Sequence, residues 1–161
     1  WGGEWWEYDI TFAAQAGPLA RSVSAALTAL GSGRGLLLFA DPSILTKSLT
    51  QPITLAIPIA GGNVVQTQGW PHGLPAVASG DFISIGAGRD TRLHQIAFDA
   101  TADINGFATL TIFPAIRTSL PANTRLEVNQ PHVLLRPTGA VPTRIERAAR
   151  HRFTLSAREA I

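Results

Sequence analysis

Cysteine is absent from the 161-residue chain, and with it go disulfides, thiolate metal ligands and cysteine nucleophiles. Methionine is absent too, and the chain opens on Trp1, so residues upstream of it are expected. The opening WGGEWWEYD has neither a basic head nor an apolar core and is not read as a signal peptide. Long hydrophobic runs are missing as well. The longest, Leu36 to Ala40, has the length of a buried strand and falls far short of the roughly 20 residues that span a bilayer, so no membrane span is expected. Charged residues make up only 15% of the chain, but 45% hydrophobic content still marks a folded globular protein.

The net charge is +2, and the pI of 9.9 reflects basic residues that, Lys47 apart, are all arginine. A basic cluster (Arg144, Arg147, Arg150, Arg152, Arg158) is interrupted by Glu146 and Glu159. Nucleic-acid binders carry a denser stripe interleaved with aromatics, so this cluster is read as a solvated or subunit-facing surface. Length and the absence of any linker or repeat imply one β-rich domain over 1–161.

Alternation in EWWEYDITF puts Trp6, Tyr8, Ile10 and Phe12 on one face of a strand, with Trp5, Glu7, Asp9 and Thr11 on the other. An exposed Trp5 suits a subunit contact, or a ring lying over a nearby loop. Pro18, then Leu19, Val23, Ala26, Leu27 and Leu30 at helical spacing, predict a helix stopped by Gly31. Leu36 to Phe39 reads as a strand closed by Asp41-Pro42.

Beyond residue 45, short strands are expected between Gly, Pro and Asn punctuation. They are Ile53–Ile57, Asn63–Thr67, Phe82–Ile85, Leu93–Phe98, Phe107–Phe113, Arg125–Val128, His132–Arg136 and Arg152–Ala157. Residues 81 to 113 read as a three-stranded meander, with a turn at Gly86 to Asp90 and a second hairpin turning at Asn105-Gly106. The fold class is therefore mainly β: a β-sandwich or small barrel of short antiparallel strands with one packed α-helix.

Candidate chemistry is sparse. GSGRG at 31–35 follows a helix and precedes a strand, the reverse of a phosphate cradle. TADINGFATLTI has Ile112 where a calcium loop needs a bidentate Glu. The four histidines (His72, His94, His132, His151) show no paired spacing, although a spatial cluster with Asp81 or Asp99 stays open. No Gly-x-Ser-x-Gly elbow occurs. No catalytic residue, metal site or cofactor is expected. The richest stretch, GDFISIGAGRDTRLHQI at 80–96, reads as a scaffold hairpin whose polar residues sit in its turn.

Four features in order along the chain resemble the tail structural proteins of tailed bacteriophages, of the distal-tail or tail-tip type, which also occur in phage-like particles. They are EWWEYDITF with its alanine-rich helix; GRGLLLFADP; GDFISIG…RLHQI running into NGFATLTIFPAIR; and RIERAARHRFTLSAREA. The resemblance implies a β-rich core with one helix, assembled as a homo-oligomeric ring, commonly sixfold, in the virion tail after assembly in the host cytoplasm. The implied partners are other copies of the chain, a tail tube protein, a tail tip or hub protein and a tape-measure protein, with DNA only as passing cargo in the lumen. Long arm or receptor-binding insertions are lacking. Trp1, Trp5, Trp70, Arg144, Arg147, Arg150 and Arg152 are the candidate subunit-interface residues. For Trp70, in a Gly/Pro-rich loop, packing on its own domain is the other reading. The alternative function is a carbohydrate-binding β-sandwich module with Trp5 and Trp70 as sugar platforms.

Overall fold

A computed structural model describes residues 5–31, 34–44, 47–139, 143–146 and 150–160, the stretch 143–146 as backbone. In chain order the strands are β1 (Glu7–Thr11), β2 (Leu37–Phe39), β3 (Ile53–Leu55), β4 (Gly62–Gln68), β5 (Pro75–Val77), β6 (Phe82–Ile85) and β7 (Arg92–Ile96). They continue as β8 (Ala100–Thr101), β9 (Phe107–Ile116), β10 (Arg125–Glu127), β11 (Val133–Pro137), β12 (Thr143–Glu146) and β13 (Arg150–Glu159). Helix α1 (Gly17–Leu30) lies between β1 and β2, and a 3-10 turn (Gly88–Asp90) between β6 and β7. The chain packs as two compact units, one formed by residues up to Leu38 together with those from Leu134 on, the other by Phe39–Val133.

The second unit is built on a closed antiparallel barrel in the order β10-β3-β4-β9-β7-β6, with β5 and β8 as a separate pair. Of the two architectures the sequence left open, this unit adopts the barrel. Alternation supplies its interior: Ile53 and Leu55, Val65, Ile83 and Ile85, Ile96, Leu110 and Ile112, and Leu126 form one buried cluster. The expected meander exists as β6-β7-β9. Its second hairpin is not tight, because the chain detours through β8 first. The Asn105-Gly106 turn instead closes residues 103–107, where Asp103 Oδ1 accepts from the amides of Asn105 (2.8 Å) and Phe107 (2.9 Å). Gly106 is required there: its φ is +79°, and a Cβ would stand 2.7 Å from the Trp70 carbonyl oxygen.

In the first unit the sheet order is β1-β13-β11-β2, with β12 pairing the other end of β13. Exposure in β1 follows the expected alternation: Glu7, Asp9 and Thr11 are outward, Tyr8 and Ile10 half-buried. Helix α1 begins and ends where Pro18 and Gly31 indicate, and Gly31 (φ 59°) donates to Thr28 O. Of its expected inward stripe, Val23, Leu27 and Leu30 are buried or half-buried, and two positions differ. Ala20 and Leu27 are buried while Leu19 and Ala26 are exposed, since one residue of offset turns a side chain by about 100°.

Trp70 fixes one end of the barrel. It is 1% exposed and its indole Nε1–H donates to Thr67 Oγ1 at 2.7 Å, which in turn donates to the Ala108 carbonyl at 2.8 Å. The hydroxyl therefore satisfies two buried partners at once. Thr67→Val keeps the side-chain shape and orphans the buried indole N–H. We expect it to lower unfolding free energy by about 1–3 kcal/mol in urea titration without altering the far-ultraviolet circular dichroism.

Candidate protein–protein interface

The candidate interface residues are dispersed. Trp5 is 43% exposed at the start of the first unit's sheet, its Nε1–H held by Glu7 Oε1 at 2.9 Å. Arg150 and Arg152 lie on the exposed face of β13, opposite the buried Phe153, Leu155 and Ala157. The backbone of β12 sets Arg144 directly across from Arg152 and Glu146 across from Arg150. Trp1 and Arg147 lie outside the described residues. Trp70 is a correction. Its burial in the barrel core leaves no ring face for a neighbouring subunit or a sugar, and the alternative of packing on its own domain is the one observed.

The polar groups of the 80–96 stretch serve the scaffold. Asp81 Oδ2 accepts from the Ala78 amide (2.9 Å) and pairs with Lys47 Nζ (2.9 Å), which also donates to Ala76 O (2.8 Å). Burial alone would raise the Asp81 pKa; the amide and the ammonium overcome it and hold the carboxyl below its ordinary range. Arg92 Nη1 donates to the carbonyls of Arg89 (3.1 Å) and Thr91 (2.8 Å), closing the turn. Among the described residues no three His, Asp or Glu side chains gather into a metal-holding group. Asp99 is occupied by the Ser79 amide at 2.7 Å.

Two clefts open on the second unit. One of about 390 Å³ is lined by Ser48–Gln51 and Gly69–His72. The other, of about 420 Å³, is lined among others by Gln66, Asp99, Asp103, Phe107 and Thr109. The second adjoins the feature that sequence reasoning missed, the outer wall of β4 and β9. Register pairs Gln68 with Phe107, Gln66 with Thr109 and Val64 with Thr111, and on β7 Gln95 with Phe113. These strand residues are uncharged, and the carboxylates nearest them are Asp99 and Asp103 in the adjoining cleft. Phe107 and Phe113 are 45% and 46% exposed, and Val64 also faces outward. The signal was present as an absence: Ser48 to Gly80 and Ile104 to Ile116 contain no Asp, Glu, Lys or Arg. An uncharged strip bearing half-exposed aromatic rings has the composition of an interface core rather than of a solvated face.

No protein-family model and no curated protein matches the chain.

His94 is the one strongly perturbed imidazole. It is 3% exposed inside the barrel wall and its Nδ1 stands 2.7 Å from Pro114 O, which it meets as a donor. Burial pushes its pKa from an ordinary 6.5 down to about 4; the carbonyl opposes this and the Arg92 charge adds to it. The folded chain thus binds fewer protons than the unfolded chain between these values. Stability is full above the unfolded pKa and is lost as pH falls toward the folded one. We expect about 3 kcal/mol to disappear over that window. Melting temperatures at about pH 7 and about pH 4.5 should diverge for the parent and converge for His94→Gln.

Proposed function

We propose that this protein is a structural component of the tail of a bacteriophage or phage-like particle, forming a homo-oligomeric ring at the distal end between tail tube and tail tip or hub. The motif order from EWWEYDITF to RIERAARHRFTLSAREA suggests the tail. The observation that carries the assembly reading is the uncharged outer wall of β4 and β9. A closed barrel has no strand edges to lend, so neighbours meet it through faces. Strand residues without charge can be desolvated without stranding an ion, and Asp99 and Asp103 at the edge of the wall are already held by backbone amides. Half-exposed Phe107 and Phe113 supply anchors, and the glutamine and threonine hydroxyls and amides between them supply hydrogen bonds. The mechanism is mechanical and assigns no catalytic residue. The arginines of β13 are a second contact surface, for the tube or hub protein. The scarcity of charge also suits a lumen through which DNA and a tape-measure protein pass, since phosphate–arginine contacts would retain the DNA.

Native mass spectrometry over a concentration series should show a discrete closed oligomer, with six copies as the expected number. A Phe107→Glu, Thr109→Glu double substitution should abolish the oligomer, leaving thermal unfolding within about 0.5 kcal/mol of the parent. A parent chain that stays strictly monomeric at its highest soluble concentration overturns the reading. Antibody labelling of particles from the encoding strain should mark the free end of the tail tube, and label absent from particles would remove the tail assignment.

A further inference from the structure

The first unit carries a like-charge pair that its fold does not explain. Strands β11 and β13 set Arg136 directly opposite Arg158 on the exposed face. Like charges in this position are destabilising. Neither guanidinium is in an ion pair among the described residues. A carboxylate is within reach by register, since β1 places Glu7 opposite Arg158 on its other side. That carboxylate forms no ion pair with it and accepts instead from the Trp5 indole. Trp5, Arg136 and Arg158, with Glu159 and Ala160, line a cleft of about 230 Å³. Two forks without counter-ions and a half-exposed indole therefore converge on one concavity.

We propose that this cleft binds a carboxylate side chain presented by an acidic segment of a partner protein. Planar guanidiniums match a carboxylate bidentately, and the indole edge offers an apolar seat for the methylenes behind it. Size restricts the occupant, because the cleft is smaller than the roughly 300–1,000 Å³ of sites that engulf a whole small molecule. It suits one side chain of a larger partner. Charge selects among anions. Arg136 and Arg158 offer two guanidiniums in no ion pair among the described residues, while Glu7 is engaged by the Trp5 indole and Glu159, which also lines the cleft, is buried. A nucleic-acid backbone extending along the sheet would run onto Glu7 and Asp9, which stand outward on β1. The site rests on the Arg136–Arg158 geometry and stands whether or not the protein belongs to a tail.

The test follows the Trp5 indole N–H resonance, assigned through Trp5→Phe, in the full-length protein labelled with nitrogen-15. The probes are acetyl-Gly-Glu-Gly-amide, its Gln counterpart, inorganic phosphate and a short single-stranded oligodeoxynucleotide. We expect saturable displacement of the resonance by the Glu peptide, little by the Gln peptide, and loss of affinity by about tenfold in either Arg136→Gln or Arg158→Gln. Arg136→Gln should also leave the melting temperature of the free protein unchanged or raised, because it relieves the repulsion. An equal response to the Glu and Gln peptides overturns the proposal, as does no response. Tighter binding of phosphate or of the oligonucleotide assigns the cleft to another anion. A lowered melting temperature in Arg136→Gln makes the pair structural and likewise overturns it.

Discussion

Barrel closure constrains everything the second unit can present. When β10, β3, β4, β9, β7 and β6 pair in a ring, the backbone hydrogen bonds are consumed internally. Alternation then commits every second residue to the interior, and the remaining residues alone decide what the protein shows its surroundings. On most of a solvated barrel those residues would be charged. On β4 and β9 they are Val, Gln, Thr and Phe, so the same constraint that builds the core also creates a broad uncharged wall.

Buried polarity in this protein belongs to the scaffold. The Thr67 hydroxyl links the Trp70 indole to a carbonyl on the neighbouring strand. Asn129 exchanges two 2.8 Å hydrogen bonds with the Leu49 backbone, standing in for a strand partner. Lys47 and Asp81 tie the loop before β6 to the strand pair beside it. His94 stays neutral because its surroundings are dry and its Nδ1–H has a carbonyl to meet. In each case a polar side chain is satisfied by a hydrogen bond to the backbone.

The first unit divides its charge differently. Phe153, Leu155 and Ala157 of β13 face inward, which sends Arg150, Arg152 and Arg158 outward in one row. A neutral wall on one unit and a row of guanidiniums on the other are two chemically distinct surfaces within one chain. The proposed ring subunit would use such a distinction to tell its own copies from a dissimilar protein, because uncharged faces discriminate by shape and charged faces by complementarity.

Much of the secondary structure was legible because it depends on local periodicity and punctuation. EWWEYDITF announced both its strand and its exposed face, Pro18 and Gly31 bounded the helix, and Phe82–Ile85 matched residue for residue. Strands β5, β8 and β12 were not legible, being two to four residues long and defined by their partners rather than by pattern. The helix stripe was right at Val23, Leu27 and Leu30 and wrong at Leu19 and Ala26, in an alanine-rich segment where small side chains blur the apolar face. The candidate site was legible only in part. The outward arginines of β13 follow from alternation, whereas Trp70 in a Gly/Pro-rich loop carries the same local signature whether it points out or in. Composition and alternation by themselves determined that the chain is a β-rich fold of short strands with scarce charge. The tertiary structure decided that six strands close into a barrel, that Trp70 belongs to its core, and that Arg136 faces Arg158. Those outcomes depend on pairing between residues far apart in the chain, and register across strands is not encoded in any single segment.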